Sequence, residues 1–321
     1  MSLNGLTAAG LRDLHSTRYS ALASGVIVLF DHLITLDDEV DLVWRSHWSI
    51  GKLLFIINRY YTLLSVIFNY YGLFMMPLSE SVSHRFFQWQ GWTGLIACMI
   101  AEVILQMRLY ALYLLNKKVL ALMVTSFIIC SASAAVIMGI VLSKLSMSYT
   151  LAGTSFCAPN GIPDYFYTFW IPTIAFESLL CGLALFRGFQ TFSSDGPLFS
   201  SGRHLVSILI RDSVFYFVVM FATYLTNLLV WTAAPADLLE IPIGFSVTFS
   251  CVMSNRIILN VRRANQEVTE SKATGSPEQR SKKDMDLLGD QAYVSHATVT
   301  DIEMMQLRSM RSEHRQPTVI I

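Results

Sequence analysis

The chain is poor in charge and carries no surplus of either sign. Only 14% of its 321 residues are Asp, Glu, Lys or Arg, and 23 basic side chains cancel 23 acidic ones. An ordinary soluble domain has about 25% charged residues, so this chain has too little polar surface to cover a globule of its size in water. The cancelled charge also removes the basic surface that nucleic-acid binding requires. Cysteine is scarce, at five residues, which excludes a disulfide-rich secreted scaffold. Catalytic signatures are missing too: there is no Walker-type glycine-lysine loop, no His-Glu-x-x-His pair and no Gly-x-Ser-x-Gly elbow. Of seven histidines only His32 falls clearly inside an apolar run, too few for the several intramembrane ligands of a zinc hydrolase. The last apolar run contains no lysine, so a retinal Schiff base has no anchor. No metal, cofactor or enzymatic activity is therefore expected, and a carboxylate dyad is the one catalytic arrangement left standing.

What is present is apolar. Hydrophobic residues make up 53% of the chain and the mean hydropathy is +0.49. Seven runs, at about 18–36, 52–76, 89–113, 119–142, 165–187, 204–231 and 238–260, each approach the ~20 residues that span a bilayer as helix. They are far longer than the ~10-residue alternating segments of a membrane barrel. The expected fold is all-α, a seven-transmembrane-helix bundle over 18–260, with a short outer segment at 1–17. The first run is the weakest because Asp31 and His32 interrupt it, and a half-buried re-entrant helix is its alternative. It does not read as a cleaved signal peptide, since Ala21-Leu-Ala-Ser24 precedes the apolar stretch instead of following it. Nine of the basic and nine of the acidic residues lie in 261–321, a polar stretch without helical or alternating pattern, and this reads as a disordered cytosolic tail.

Basic residues near the run ends set the orientation. With the N-terminus outside, Arg45, Lys52, Lys117, Lys118, Arg187, Arg203, Arg262 and Arg263 fall on the inner side, against Arg12, Arg18, Arg85 and Lys144 outside. The expected topology is N-outside and C-inside, in a plasma or internal membrane. Asp37 to Asp41, followed by Trp44, His47 and Trp48, reads as a short interfacial segment with its tryptophans at headgroup level. Cys98, Cys130, Cys181 and Cys251 lie in the runs as small apolar packing residues. A Cys98–Cys157 bridge would resemble the loop-to-third-helix disulfide of many receptors, but Cys98 sits roughly 13 Å into its helix, which argues against it.

Charged side chains within the hydrocarbon cost about 2.5 kcal/mol or more each, so they normally face the bundle interior and pair. Six do so here: Asp31, Arg59, Glu102, Glu177, Arg211 and Asp212. Counted along their helices, all fall roughly 10–12 Å from the inner face, in one layer. Arg108 and Arg256 lie just below it, at the inner interface. Asp31–Arg59 is the best single pair, since the first two helices should be antiparallel neighbours. The layer is either a set of ion pairs fixing helix order and rotation or a switch whose pairings change between two states. Aromatic side chains crowd the second and fifth runs, at Tyr60, Tyr61, Tyr70 and Tyr71 and at Tyr165, Phe166, Tyr167, Phe169 and Trp170. They are either interface anchors or the walls of an outward-facing pocket for a small apolar ligand.

Asp31-His-Leu-Ile-Thr-Leu-Asp-Asp-Glu-Val40, Trp44 and Leu54-Phe-Ile-Ile-Asn-Arg-Tyr60 resemble the N-terminal signature of a fungal, basidiomycete multi-pass membrane family, domain of unknown function 6533. Arg108-Leu-Tyr-Ala-Leu-Tyr113, Arg211-Asp-Ser-Val-Phe-Tyr-Phe217 and Arg256-Ile-Ile-Leu-Asn-Val-Arg262 continue the likeness, with Ser213 where the family usually has glycine. The resemblance implies architecture and lineage, not a mechanism. Two functions stay open. A receptor-like protein would bind from outside, repack its inner polar layer and hand the signal to a cytosolic partner of the tail, although it lacks the Asp-Arg-Tyr and Asn-Pro-x-x-Tyr motifs of many receptors. A proton-coupled carrier would use Glu102, Glu177 and Asp212, although no two halves of the chain look like a repeat with broken helices. Beyond the lipid bilayer itself, no partner can be specified further. In the tail, Asp284-Met-Asp-Leu-Leu288 and Val319-Ile-Ile321 are short sorting or capture patterns of a kind that arises by chance.

Overall fold

The computed structural model describes residues 8–74, 80–113, 115–144, 146–150, 156–160, 164–193, 200–233 and 240–274. Seven long helices run alternately down and up: α1 (Ala8–Ile34), α3 (Ile50–Phe74), α4 (Glu80–Leu112), α5 (Lys117–Lys144), α6 (Trp170–Ser193), α7 (Ser200–Ala233) and α8 (Glu240–Thr274). The short α2 (Leu36–Glu39) follows α1 and passes into a single π-turn, Val40–Trp44. Below, the end of the bundle at which α1 begins is called the upper end. Six helices are long and apolar enough to cross a membrane, and a seventh span is added if His15–Ile34 and Leu36–Trp44, bent by 56°, count as one. The chain is thus a multi-pass membrane protein by the length and composition of its helices, and the weak first run is the one that breaks.

Local signals set the helix ends. Ser49 Oγ accepts the Lys52 N–H at 3.0 Å ahead of α3, and Asn116 Oδ1 accepts the Lys118 N–H at 3.0 Å ahead of α5, satisfying donors that a helix start leaves open. After α4, Leu115 turns left-handed (φ 61°) and its N–H reaches back to the Tyr110 carbonyl at 3.1 Å, closing the helix end with a backbone conformation that glycine usually supplies.

The helices close a ring in which each packs on its sequence neighbour and α8 returns to α1, while α4 also touches α6 and α8. Half of the apolar windows of α4 and α8 is buried, against 11% for α5. That puts α4 and α8 at the centre and α5 on the perimeter. Outward-facing Leu33, Leu64, Ile128, Ile129 and Phe189 are all at least 60% exposed. A girdle of this kind is stable against lipid and not against water. Close approach of α1 and α3 depends on Gly25. A Cβ there would meet Tyr70 Oη at 1.7 Å, and that hydroxyl donates to the Ala21 carbonyl at 2.6 Å.

Two expectations change. The fold is not wholly α: after α5, β1 (Ser146–Thr150) and β2 (Phe156–Asn160) pair antiparallel, with Ser146 opposite Asn160, so a small hairpin joins the helices among the described residues. The last helix does not stop at 260 but runs on to Thr274, because the Lys/Glu/Gln-rich residues past Arg262 are good helix formers. The remainder of the proposed tail, from 275, lies outside the described residues, as do residues 1–7.

Candidate functional site

Where α1 gives way to α2, the lower end holds a buried polar lattice. Thr35, Glu39 and Val43 are four residues apart, share one face and are buried. Arg59, 2% exposed, reaches across from α3: its Nε lies 2.8 Å from Glu39 Oε2, and its terminal nitrogens donate to Thr35 Oγ1 and to the His32 carbonyl, each at 2.9 Å. The second oxygen of Glu39 accepts from Tyr60 Oη at 2.8 Å and from Trp44 Nε1 at 3.0 Å. The carboxylate is fully buried, with one oxygen hydrogen-bonded twice and the other held by its ion-pair contact with Arg59, and a buried charge of this kind is tolerated only when so paired.

Cations from α3 and α8 finish this end. The π-turn and the residues after it leave backbone carbonyls without helical donors. Lys52 Nζ donates to the Trp44 and Ser46 carbonyls at 3.2 and 2.9 Å, with Trp48 4.9 Å from the charge. Arg262 donates to the Leu42 carbonyl and to Ser46 Oγ, both at 2.6 Å. Arg256 Nε bonds Asp31 Oδ1 at 2.6 Å, and Arg263 pairs with Asp38. Deeper, Asn58 of α3 donates to Asn255 Oδ1 of α8 at 3.0 Å. The 35–49 segment is therefore locked between the start of α3 and the end of α8.

A second acidic group occupies the far side of the core. Glu102 on α4 and Glu177 on α6 are buried, at 7% and 0% exposure, and lie within electrostatic range of one another. Neither oxygen of Glu177 has a hydrogen-bond partner among the described residues, and no hydrogen bond or ion pair from them reaches Glu102. Glu102 also lines a central cavity of about 250 Å³. From Phe87 to Glu102 along α4 the lining covers a depth of about 22 Å at 1.5 Å per residue. Its walls are mostly apolar and aromatic: Tyr70, Phe169, Trp170, Phe176, Tyr224 and Trp231. Ser131, Thr173, Ser246 and Thr248 add hydroxyls. All of its lining lies at or above Glu102, and below that level the interior is filled by Leu105, Leu109, Met123 and Phe217.

The single charge layer expected from the sequence divides in two. Asp31 and Arg59 do not pair with each other. Asp31 takes Arg256, and Arg59 takes Glu39. The 56° bend after Ile34 folds the acidic segment back toward α3 and offers Arg59 a nearer carboxylate. Glu102 and Glu177 stand apart from this lattice, without basic partners among the described residues. The side chains of Arg211 and Asp212 lie outside the described residues. Arg108 is half-buried near the end of α4, and Arg256 belongs to the lattice. Of the aromatic residues singled out, Tyr70, Phe166, Phe169 and Trp170 line the cavity, Tyr60 serves Glu39, and Tyr71, Tyr165 and Tyr167 are exposed. Cys98 is free, so it makes no bridge to Cys157, whose own side chain is outside the described residues.

Sequence reasoning missed Glu39, Lys52, Asn58, Asn255 and Arg262. Glu39 was legible: its four-residue spacing from Thr35 and Val43 marks an inward face, hidden because three flanking aspartates made the segment look uniformly surface-bound. A model of a family of unknown function (DUF6533) matches residues 19–64. That stretch runs from α1 to the middle of α3 and contains one side of the lattice, Asp31, Thr35, Glu39, Lys52 and Arg59. Its partners on α8 and both cavity carboxylates fall outside the match. No curated protein matches the chain.

Proposed function

We propose that this is a receptor-like seven-helix membrane protein of fungal lineage, N-outside and without enzymatic activity, in which an apolar ligand occupies the cavity and the lattice at the opposite end is the element that repacks. The observation that carries the reading is that the cavity descends from the upper end and stops at Glu102, with packed core plus ion pairs beneath. A dead-end pocket suits binding, whereas a carrier needs a path it can open on both sides. The helix α8 ties the two ends together: Ser246 and Thr248 line the cavity, while Asn255, Arg256 and Arg262 hold the lattice. A ligand that binds two arrangements of α8 unequally shifts the balance between them. A cytosolic protein reading the exposed end of α8 and the tail is the partner this scheme requires.

Topology tests it first. Epitope tags on the two ends of the chain should be accessible outside intact cells at the N-terminus and only after permeabilisation at the C-terminus. The reverse result would turn the cavity toward the cytosol and end the receptor reading. The buried pair Glu102–Glu177 favours one competing scheme, a proton-coupled carrier. Reconstituted protein that moves a substrate down a pH gradient would establish that scheme instead.

A further inference from the structure

The cavity floor is chemically unlike its walls. The walls are mostly aliphatic and aromatic with neutral polar groups among them, but the floor presents Glu102, 93% buried by its 7% exposure, with Glu177 behind it and no described cation to oppose either. Placing carboxylates in low-dielectric surroundings without partners is costly, and the cost falls when a positive charge is supplied. At the lower end, each buried acid among the described residues has an arginine: Glu39 has Arg59 and Asp31 has Arg256. Among the described residues, the acids of the lattice are paired and the cavity acids are not.

Resting on the receptor-like reading above, we propose that the cavity binds an amphiphilic amine, whose ammonium head contacts Glu102 at the floor and whose apolar body lies along the aromatic wall toward the upper helix ends. Trp170, Phe176 and Tyr224 line the cavity together with Glu102, and aromatic faces attract cations in addition to apolar groups. The hydroxyls of Ser246 and Thr248 already serve the protein. Ser246 donates to the Pro242 carbonyl and accepts from Asn227, and Thr248 donates to the Ser24 carbonyl. Asn69 Oδ1, Gln90 Oε1 and Trp170 Nε1 also line the cavity without hydrogen-bond partners among the described residues, but they are uncharged and lie toward the upper helix ends, so it is the floor that distinguishes a cationic head from a neutral one. A carboxylate head would meet like charge. The site selects by charge at one end and by shape and hydrophobicity along its length.

The test uses the full chain in lipid nanodiscs with three probes of matched skeleton: phenylbutylamine, phenylbutanol and phenylbutyric acid. Thermal stabilisation as a function of probe concentration gives apparent affinities. A charge-assisted hydrogen bond contributes about 1.5–3 kcal/mol, so the amine should bind about 10- to 100-fold more tightly than the alcohol, and the acid least. Glu102→Gln should erase the amine's advantage over the alcohol, and Glu177→Gln, a second variant in case the first folds poorly, should reduce it. Equal binding of amine and alcohol, or an amine preference that survives Glu102→Gln, overturns the assignment of ligand class but leaves a ligand-binding cavity. Absence of stabilisation by any probe, with no effect of filling the cavity by Ala134→Phe, removes the cavity reading itself.

Discussion

Neutralising Glu39 should be among the most damaging single changes in the protein, although it lies in a segment that reads as surface. Glu39→Gln keeps the shape of the side chain and an oxygen for Tyr60 and Trp44, so it isolates the loss of charge. Arg59, 2% exposed, is left facing an amide at 2.8 Å in place of a carboxylate. Breaking a buried pair from one side costs about 3–5 kcal/mol, and the isosteric replacement belongs at the lower end, about 3 kcal/mol. Replacing both partners with apolar residues (Glu39→Leu with Arg59→Met) should cost less than either single change, because no charge is then stranded. The swap Glu39→Arg with Arg59→Glu should recover part of the loss. The swap Asp31→Arg with Arg59→Asp should recover nothing, because Asp31 bonds Arg256. The readout is the unfolding midpoint of purified protein in mild detergent. Rescue by the Asp31/Arg59 swap, or an unchanged midpoint in Glu39→Gln, would refute the lattice as described.

Other consequences are simpler to check. Asp41→Asn should leave the midpoint unmoved, because the Asp41–Arg45 pair is 58% and 74% exposed and exposed pairs contribute little. Gly25→Val should destabilise by about 1–3 kcal/mol by driving Tyr70 off the α1 backbone, and Tyr70→Leu in the same background should return part of that loss. Leu115→Gly should stabilise the protein by up to about 1 kcal/mol and so raise the midpoint, since a left-handed leucine costs about 1–2 kcal/mol and its side chain is only half-buried. Hydrogen exchange in the 35–49 segment should be slow for a connection, and Arg262→Ala should speed it by freeing the Leu42 carbonyl and Ser46.

The helices and their alternation were legible in the sequence because a bilayer demands about twenty apolar residues per crossing, and nothing shorter competes. The inward charges were legible for the same reason. Their partners were not. Counting residues along helices gives depth, but pairing depends on rotation about each axis and on bends. The 56° bend after Ile34 was enough to exchange Asp31 for Glu39 at Arg59. Lys52 and Arg262 went unrecognised because they answer backbone carbonyls of an irregular turn, a demand no side-chain pattern displays. The cavity follows from which aromatic residues turn inward, and composition places Tyr70 and Tyr71 in the same class although only Tyr70 lines it.

The coupling of cavity to lattice is tested most directly by hydrogen exchange of the 35–49 segment and the end of α8, in nanodiscs, with and without phenylbutylamine at a concentration that raises the unfolding midpoint. Occupancy of a cavity whose floor lies above that segment should change exchange there, in the wild type and not in Glu102→Gln. Stabilisation with unchanged exchange at 35–49, or no stabilisation at all, would contradict the account.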